Sequence, residues 1–142
     1  MILHGYWRSG TSYRTRIALN LKGLEYRQAA LVGCDIHPLN NLRVLKAVRA
    51  LGADQAGVDA WAGQWIIDGF TALETLVVRH GDGWCFGGRP TLADCYLMPQ
   101  LYSARRFNVD LAAFPRLLEI EARAEVHPAF IAALPENQPD AD

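Results

Sequence analysis

The sequence predicts a mainly α-helical bundle preceded by a short β-α-(β) segment. From residue 30 onward, apolar residues recur at spacings of three and four, which is typical of amphipathic helices. Glycine-containing breaks such as residues 81–83 divide this pattern into separate helices. The opening of the chain differs, because a short strand-like run at Ile2, Leu3 and Tyr6 precedes a single helical pattern. A small strand-containing segment therefore comes before an all-helical body.

The composition favours one compact domain in a reducing compartment. The chain has 142 residues, 51% of them apolar, which is enough for a substantial core. The formal charge is −1 with both signs spread along the chain, so we expect no nucleic-acid or membrane partner. With no signal peptide and no apolar run near the roughly 18 residues of a membrane span, we expect a cytoplasmic protein. The spacing of Cys34, Cys85 and Cys95 fits neither a disulfide framework nor a zinc site, so we expect no metal.

The first elements follow from breaks in the pattern. A helix is predicted over residues 12–22 and a short strand within residues 24–29. Residues 30–51 carry a helical pattern in which Pro38 marks either a kink or an interrupted start. The most regular pattern, over residues 54–80, predicts one long amphipathic helix.

The second half of the chain begins with a loop whose aromatic residues, Trp84 and Phe86, are expected to pack against the bundle. Thr91 at an N-cap and Asp94 three residues later form a variant of the capping box, which predicts a helix start. Further helices are predicted near the prolines at 115 and 128, before a polar tail over residues 135–142.

A strand-to-helix turn over residues 7–16 is the first candidate site. A helix N-terminus exposes unpaired N–H groups and the positive end of its dipole, which favour an anion. Hydroxyl groups and positive charges are concentrated there: Ser9, Thr11, Ser12, Arg8, Arg14 and Arg16. The turn therefore predicts an anion site, and the alternative is an ordinary capped helix with solvated arginines.

A second candidate site lies within residues 33–43. On a helix, His37 and Asn41 would share one face, and Asn40 and Arg43 an adjoining one, so together they could line a polar pocket. The alternative is that His37 satisfies a buried backbone carbonyl and Arg43 is a solvated surface charge.

Two adjacent arginines, Arg105 and Arg106, end the capped helix. Neighbouring residues on a helix point to different faces. We therefore expect at most one of them to enter a pocket.

Several ordered strings of residues resemble the zeta-class glutathione transferases, which are the maleylacetoacetate and maleylpyruvate isomerases. The resemblance covers residues 6–14, 17–23, 34–41, 91–100, 106–111 and 138–140. Ser-Gly-Thr-Ser at residues 9–12 is nearer to the bacterial maleylpyruvate isomerases than to the branch with Ser-Ser-Cys. The resemblance implies a truncated thioredoxin-like segment over residues 1–29 and a glutathione-transferase C-terminal helical domain over residues 30–134.

The resemblance also implies an enzyme with glutathione as cofactor. The reaction would be cis-trans isomerisation of maleylpyruvate or maleylacetoacetate to the fumaryl product, in the degradation of aromatic compounds. Both substrates are keto acids with two carboxylates and the same maleyl end, so the choice between them stays open. The catalytic residues that favour the glutathione thiolate would be Ser9, Thr11 and Ser12. The substrate carboxylates would be bound by Arg8, Arg43 and Arg106. His37 and Asn41 would be cofactor-binding groups of the same pocket, in contact with glutathione or with the developing enolate.

The chain departs from the family after its second strand. In the family, further helices, two more strands and a loop with a cis-proline precede the bundle, but here no proline occurs before Pro38. No Gln-Ser or Glu-Ser pair is present to hold the γ-glutamyl end of glutathione. A two-stranded sheet has open edges, so we expect a homodimer or other self-association.

Two alternatives to a working isomerase remain. One is a non-catalytic helical binding or dimerisation module. The other is that the internal deletion arose in the gene record and that the parent protein is a full enzyme.

Overall fold

The computed structural model describes residues 2–3, 26–27 and 32–137. Within these residues, β1 (Ile2–Leu3) pairs in parallel with β2 (Tyr26–Arg27). Two short turns of helix follow, a π-helical turn at Val32–Ile36 and a 3-10 turn at His37–Leu39. The α-helices are α1 (Leu42–Ala50), α2 (Gln55–His80), α3 (Leu92–Arg106), α4 (Pro115–Ala124) and α5 (Pro128–Ile131), before a 3-10 turn at Pro135–Asn137.

The parallel pairing of β1 and β2 confirms the predicted strands. Ile2 lies opposite Tyr26 and Leu3 opposite Arg27. Parallel strands need a crossover connection between them. The predicted helix over residues 12–22, which would be that connection, lies outside the described residues.

The predicted pattern over residues 30–51 is divided into three pieces rather than one kinked helix. Pro38 stands in the 3-10 turn, where it has no N–H to continue an α-helix. Asn41 is extended, with φ −72° and ψ 155°, and α1 begins only after it. The interrupted start is therefore confirmed, and the expectation that His37 and Asn41 share a helical face is wrong.

The predicted long amphipathic helix over residues 54–80 is confirmed as α2. Asp54 caps its N-terminus by accepting a hydrogen bond from the Gly57 N–H at 2.8 Å. Its buried face carries Phe70, whose ring meets Phe114 edge to face at 5.5 Å between centroids. No helix among the described residues is long and apolar enough to cross a membrane.

The π-helical turn packs against both α2 and α3 through two close approaches. Ile36 is fully buried over Gly69, where an added Cβ would overlap the Ile36 side chain. At Gly33, an added Cβ would lie 2.8 Å from Cε1 of Tyr96 on α3. Both glycines are thus required for close packing rather than for an unusual backbone angle.

The predicted capping box at the start of α3 is confirmed and extends further than predicted. Oδ2 of the buried Asp94 accepts hydrogen bonds from the Thr91 N–H at 2.7 Å and the Thr91 hydroxyl at 2.8 Å. Its Oδ1 accepts a third from the Cys85 N–H at 2.8 Å. Burial and the nearby Asp94 carboxylate raise the pKa of the Cys85 thiol. One carboxylate therefore joins the helix start to the loop before it.

The loop before α3 behaves partly as predicted. Trp84 is buried and stacks on Phe130 of α5 at 5.7 Å between centroids. Phe86 is 37% exposed and lies beside His80 at the end of α2. Only the first of the two aromatic residues thus packs into the bundle.

We expect Asp94→Ala to lower the free energy of unfolding by about 3 kcal/mol, because the Cys85 N–H would be left buried without an acceptor. Thr91→Ala should cost about 1 kcal/mol. The double variant should lose less than the sum, because both single variants remove the same hydroxyl–carboxylate bond. Urea unfolding measures all three values.

The control is Asp68→Ala, which removes an exposed carboxylate from α2. It should change stability by less than about 0.5 kcal/mol. Asp94→Ala with the same stability as this control would contradict the proposed network.

Candidate functional site

Half of the predicted site residues lie in the described part of the chain. Arg8 and the three hydroxyl residues Ser9, Thr11 and Ser12 lie outside it. The other four are described: His37, Asn41, Arg43 and Arg106. The candidate site is therefore built from the segment before α1, the start of α1 and the end of α3.

Asn41 is the N-cap of α1. Its Oδ1 accepts a hydrogen bond from the Val44 N–H at 3.1 Å, and its Nδ2 donates to the Pro38 carbonyl at 2.5 Å. These bonds fix the side chain in the bend between the 3-10 turn and the helix. One of its two amide protons stays available for a ligand.

The segment before α1 is fastened to α2 by Trp61. The indole Nε1–H of Trp61 donates to the Leu39 carbonyl at 3.1 Å. The sequence assigned Trp61 only to the apolar pattern of α2, because a bond between residues 22 apart has no local signal. Trp61 thus holds the backbone that lies between His37 and Asn41.

Two polar side chains of this segment have unused hydrogen-bonding capacity. His37 is exposed, so it does not satisfy a buried carbonyl as the alternative interpretation required. Asn40 is 9% exposed, and neither atom of its amide has a hydrogen-bond partner among the described residues. Burial raises the pKa of the Asp35 carboxyl in the π-helical turn. A buried amide without a partner is costly, so the Asn40 amide is a candidate to hydrogen-bond a ligand.

The arginines at the end of α3 face different surroundings, as predicted. Arg105 forms an ion pair with Glu121 of α4, with its Nε 3.3 Å from Oε1. Arg106 is exposed and has no ion pair within the described residues, and the same holds for Arg43 on the first turn of α1. Two exposed cations are therefore available to an anion.

A small apolar cluster joins α1 and α2 to the residue that directly follows α3. Leu45 of α1 packs with Val58 and Ala62 of α2, and Phe107, directly after Arg106, packs against the same cluster. Arg43 lies two residues before Leu45 in the chain. The start of α1 and the end of α3 are thus held near each other by apolar packing.

This arrangement suits a small anionic ligand with polar groups. Arginine binds a carboxylate through two parallel hydrogen bonds, and two arginines on separate helices suit a molecule with two carboxylates. The amide and imidazole groups beside them can hydrogen-bond a peptide-like ligand. Among the described residues, no group of three or more His, Cys, Asp or Glu could hold a metal ion.

Known proteins of one family match this chain over most of its length. The family model for the glutathione S-transferase C-terminal domain matches residues 44–131. A maleylacetoacetate isomerase of Pseudomonas aeruginosa is 37% identical over 211 aligned residues, which cover 99% of this chain and 98% of that protein. Because this chain has 142 residues, about 70 internal positions of that relative have no counterpart here.

Solved structures of the same family are also similar to this chain. The holo structure of a maleylpyruvate isomerase, a bacterial zeta-class enzyme, has a TM-score of 0.77 at 42% identity, covering 99% of this chain and 62% of that one. The maleylacetoacetate isomerase of Anaeromyxobacter dehalogenans with glutathione in its active site has a TM-score of 0.76 at 39% identity, covering 80% and 52%. The chain thus spans between half and two thirds of the length of these two structures.

We expect Asn41→Ala to lower the free energy of unfolding by about 1 kcal/mol, because the Val44 N–H loses its acceptor. Asn41→Asp keeps an acceptor at the positive end of the helix dipole, so its stability should stay within about 0.5 kcal/mol of the parent chain. Urea unfolding of the two variants measures this difference. Equal loss in both would mean that capping is not the structural role of Asn41.

Proposed function

Because this chain belongs to the zeta class of the glutathione transferase family, we propose that it is a cytoplasmic, glutathione-dependent cis-trans isomerase of a maleyl keto acid. The relatives are named for maleylacetoacetate and for maleylpyruvate, and both substrates present the same maleyl end. The proposal is supported by two exposed arginines that have no ion pair within the described residues, Arg43 on α1 and Arg106 at the end of α3. A maleyl substrate supplies two carboxylates for them to bind.

The proposed role of the arginines follows from the charges in the reaction. When bound, glutathione supplies a thiolate that adds to the double bond and so turns it into a single bond. Rotation about this single bond precedes expulsion of the thiolate. Arg43 and Arg106 would hold the substrate carboxylates and offset the repulsion between a dianion and an approaching thiolate. Negative charge also moves toward the carbonyl oxygen of the keto acid during the addition, and fixed cations stabilise it there.

The segment before α1 fits a peptide-like cofactor. The buried Asn40 amide lacks a partner among the described residues, Asn41 keeps one amide proton, and the exposed His37 ring can donate or accept. We assign His37 and Asn41 to glutathione on this basis. From the resemblance alone, we assign thiolate stabilisation to Ser9, Thr11 and Ser12, and a third carboxylate contact to Arg8.

The missing internal positions favour a second candidate function, a helical binding or dimerisation module without catalysis. About 70 positions of the Pseudomonas aeruginosa relative have no counterpart in this chain. Groups that hold a cofactor far from its reacting atom position that atom for attack, which can lower a barrier by on the order of 7 kcal/mol. Without such groups the barrier to reaction is higher, which offsets the stabilisation that the retained arginines give to the transition state.

Self-association is the proposal for a protein partner. Trp61 and Trp65 are each 36% exposed on α2 and contact each other edge to face at 5.8 Å. Exposed aromatic residues on one helix face often mark an interface. We propose that this face of α2 contacts a second copy of the chain.

We expect the chain to isomerise maleylpyruvate with millimolar glutathione at least about 100-fold more slowly than a full-length relative, because the cofactor is less well positioned. Arg43→Ala and Arg106→Ala should each lower kcat/KM by a further factor of about 10 to 100. Arg79→Ala, which removes an exposed arginine on α2, is the matched control. Loss of the cis-enone absorbance measures the rate.

A second measurement keeps the test readable if turnover is too slow. Maleate should raise the melting temperature of the parent chain and of Arg79→Ala, but not of Arg43→Ala or Arg106→Ala, because only these two lose a carboxylate contact. Two results together would favour the non-catalytic module. The chain would show no glutathione-dependent turnover, and maleate would shift the melting temperature of every variant as it does that of the parent chain.

We expect sedimentation velocity at tens of micromolar to show a dimer. Trp65→Glu should shift the chain to monomer by placing a charge in the contact, whereas Ala122→Glu, on the exposed side of α4, should leave the dimer intact. A monomeric parent chain at this concentration would contradict the proposed contact.

A further inference from the structure

A cavity of about 550 Å³ lies between α3, α4, α5 and the turn that follows α5. This volume is in the range of pockets that bind small organic molecules. None of the four described residues of the candidate site lines it. The cavity is therefore separate from the described part of the candidate site.

The walls of the cavity are mainly apolar. One face of α3 contributes Met98 and Tyr102, and α5 contributes Phe130 and Ile131 on the opposite side. Ala124, which is fully buried, forms part of the wall from α4. An apolar molecule with one or two rings would bury most of its surface here.

Three charged residues line the described part of the cavity, namely Arg105, Glu121 and Glu125. The guanidinium of Arg105 is committed to Glu121, so these two lining residues neutralise each other. Glu125 also lines the cavity, is exposed, and has no ion pair within the described residues. Glu136, next to the lining residue Pro135, accepts a hydrogen bond from the Tyr102 hydroxyl at 3.2 Å. The described residues of the lining and its edge thus carry an excess of negative charge.

We propose that this cavity binds an apolar amine, a molecule of one or two rings carrying a single positive charge. The apolar body would pack between α3 and α5, and the ammonium group would face the Glu125 carboxylate. An anion of the same size would meet Glu125 and Glu136, so charge selects against it. This preference is opposite to that of the arginines at the candidate site, and the inference does not depend on the proposed isomerase activity.

A cysteine in the lining reports occupancy of the cavity. Cys95 is exposed and lines the cavity, so iodoacetamide can reach it. Cys85 is buried, and the burial and the Asp94 carboxylate that raise the pKa of its thiol keep it unreactive. Peptide mapping by mass spectrometry distinguishes alkylation at each cysteine.

The test uses the 142-residue chain and two dyes of similar size, the cation auramine O and the anion 1-anilinonaphthalene-8-sulfonate. Auramine O should bind at one saturable site and the anion at least about tenfold more weakly. Glu125→Gln should weaken auramine O about tenfold by removing the facing charge. Saturating auramine O should slow alkylation of Cys95 severalfold.

Two tryptophan substitutions distinguish binding in this cavity from binding at other surfaces. Ala133→Trp places a large side chain in the lining at an exposed position and should abolish auramine O binding. Ala122→Trp, exposed on α4 outside the lining, should leave it unchanged. Equal affinity for the two dyes, or unaltered auramine O binding in Ala133→Trp, would overturn the proposal.

Discussion

The approach of Ile36 to Gly69 is the packing constraint on which the candidate site depends. Because position 69 has no Cβ, the fully buried Ile36 side chain can lie against the backbone of α2. The chain therefore leaves the π-helical turn close to α2, where Trp61 can reach the Leu39 carbonyl. A larger side chain at position 69 would displace the whole segment that carries His37. The position of these polar groups is thus set by apolar packing and one indole hydrogen bond.

The Asp94 carboxylate likewise fixes the position of a chain segment, at the N-terminal end of α3. By accepting the Cys85 N–H as well as the Thr91 donors, it fixes the loop in which Trp84 is buried. Trp84 in turn stacks on Phe130, which also lines the cavity beside α5. A buried carboxylate with three donors is stable where an unpaired one would be costly. The cap therefore contributes to the geometry of a wall some distance along the chain.

Local signals in the sequence were sufficient for most helices but not for the segment before α1. The periodicity of α2 and the cap at Asp94 depend on neighbours a few residues away, so the sequence alone predicted them. The assumption of helical spacing failed between His37 and Asn41, because Pro38 and the extended Asn41 interrupt the α-helix. Contacts such as Ile36 with Gly69 join distant parts of the chain and have no local pattern. The backbone geometry of this segment was therefore not predictable from local sequence patterns.

Arg105 and Arg106 show how one helix can separate two kinds of surface. Successive residues on an α-helix are rotated by about 100°, so the two guanidinium groups leave α3 in different directions. Arg105 is neutralised by Glu121 in the wall of the cavity, which leaves Glu125 to set the charge there. Arg106 has no such partner among the described residues and is exposed. A single residue step along α3 thus separates an arginine paired in the cavity wall from an exposed arginine without an ion pair among the described residues.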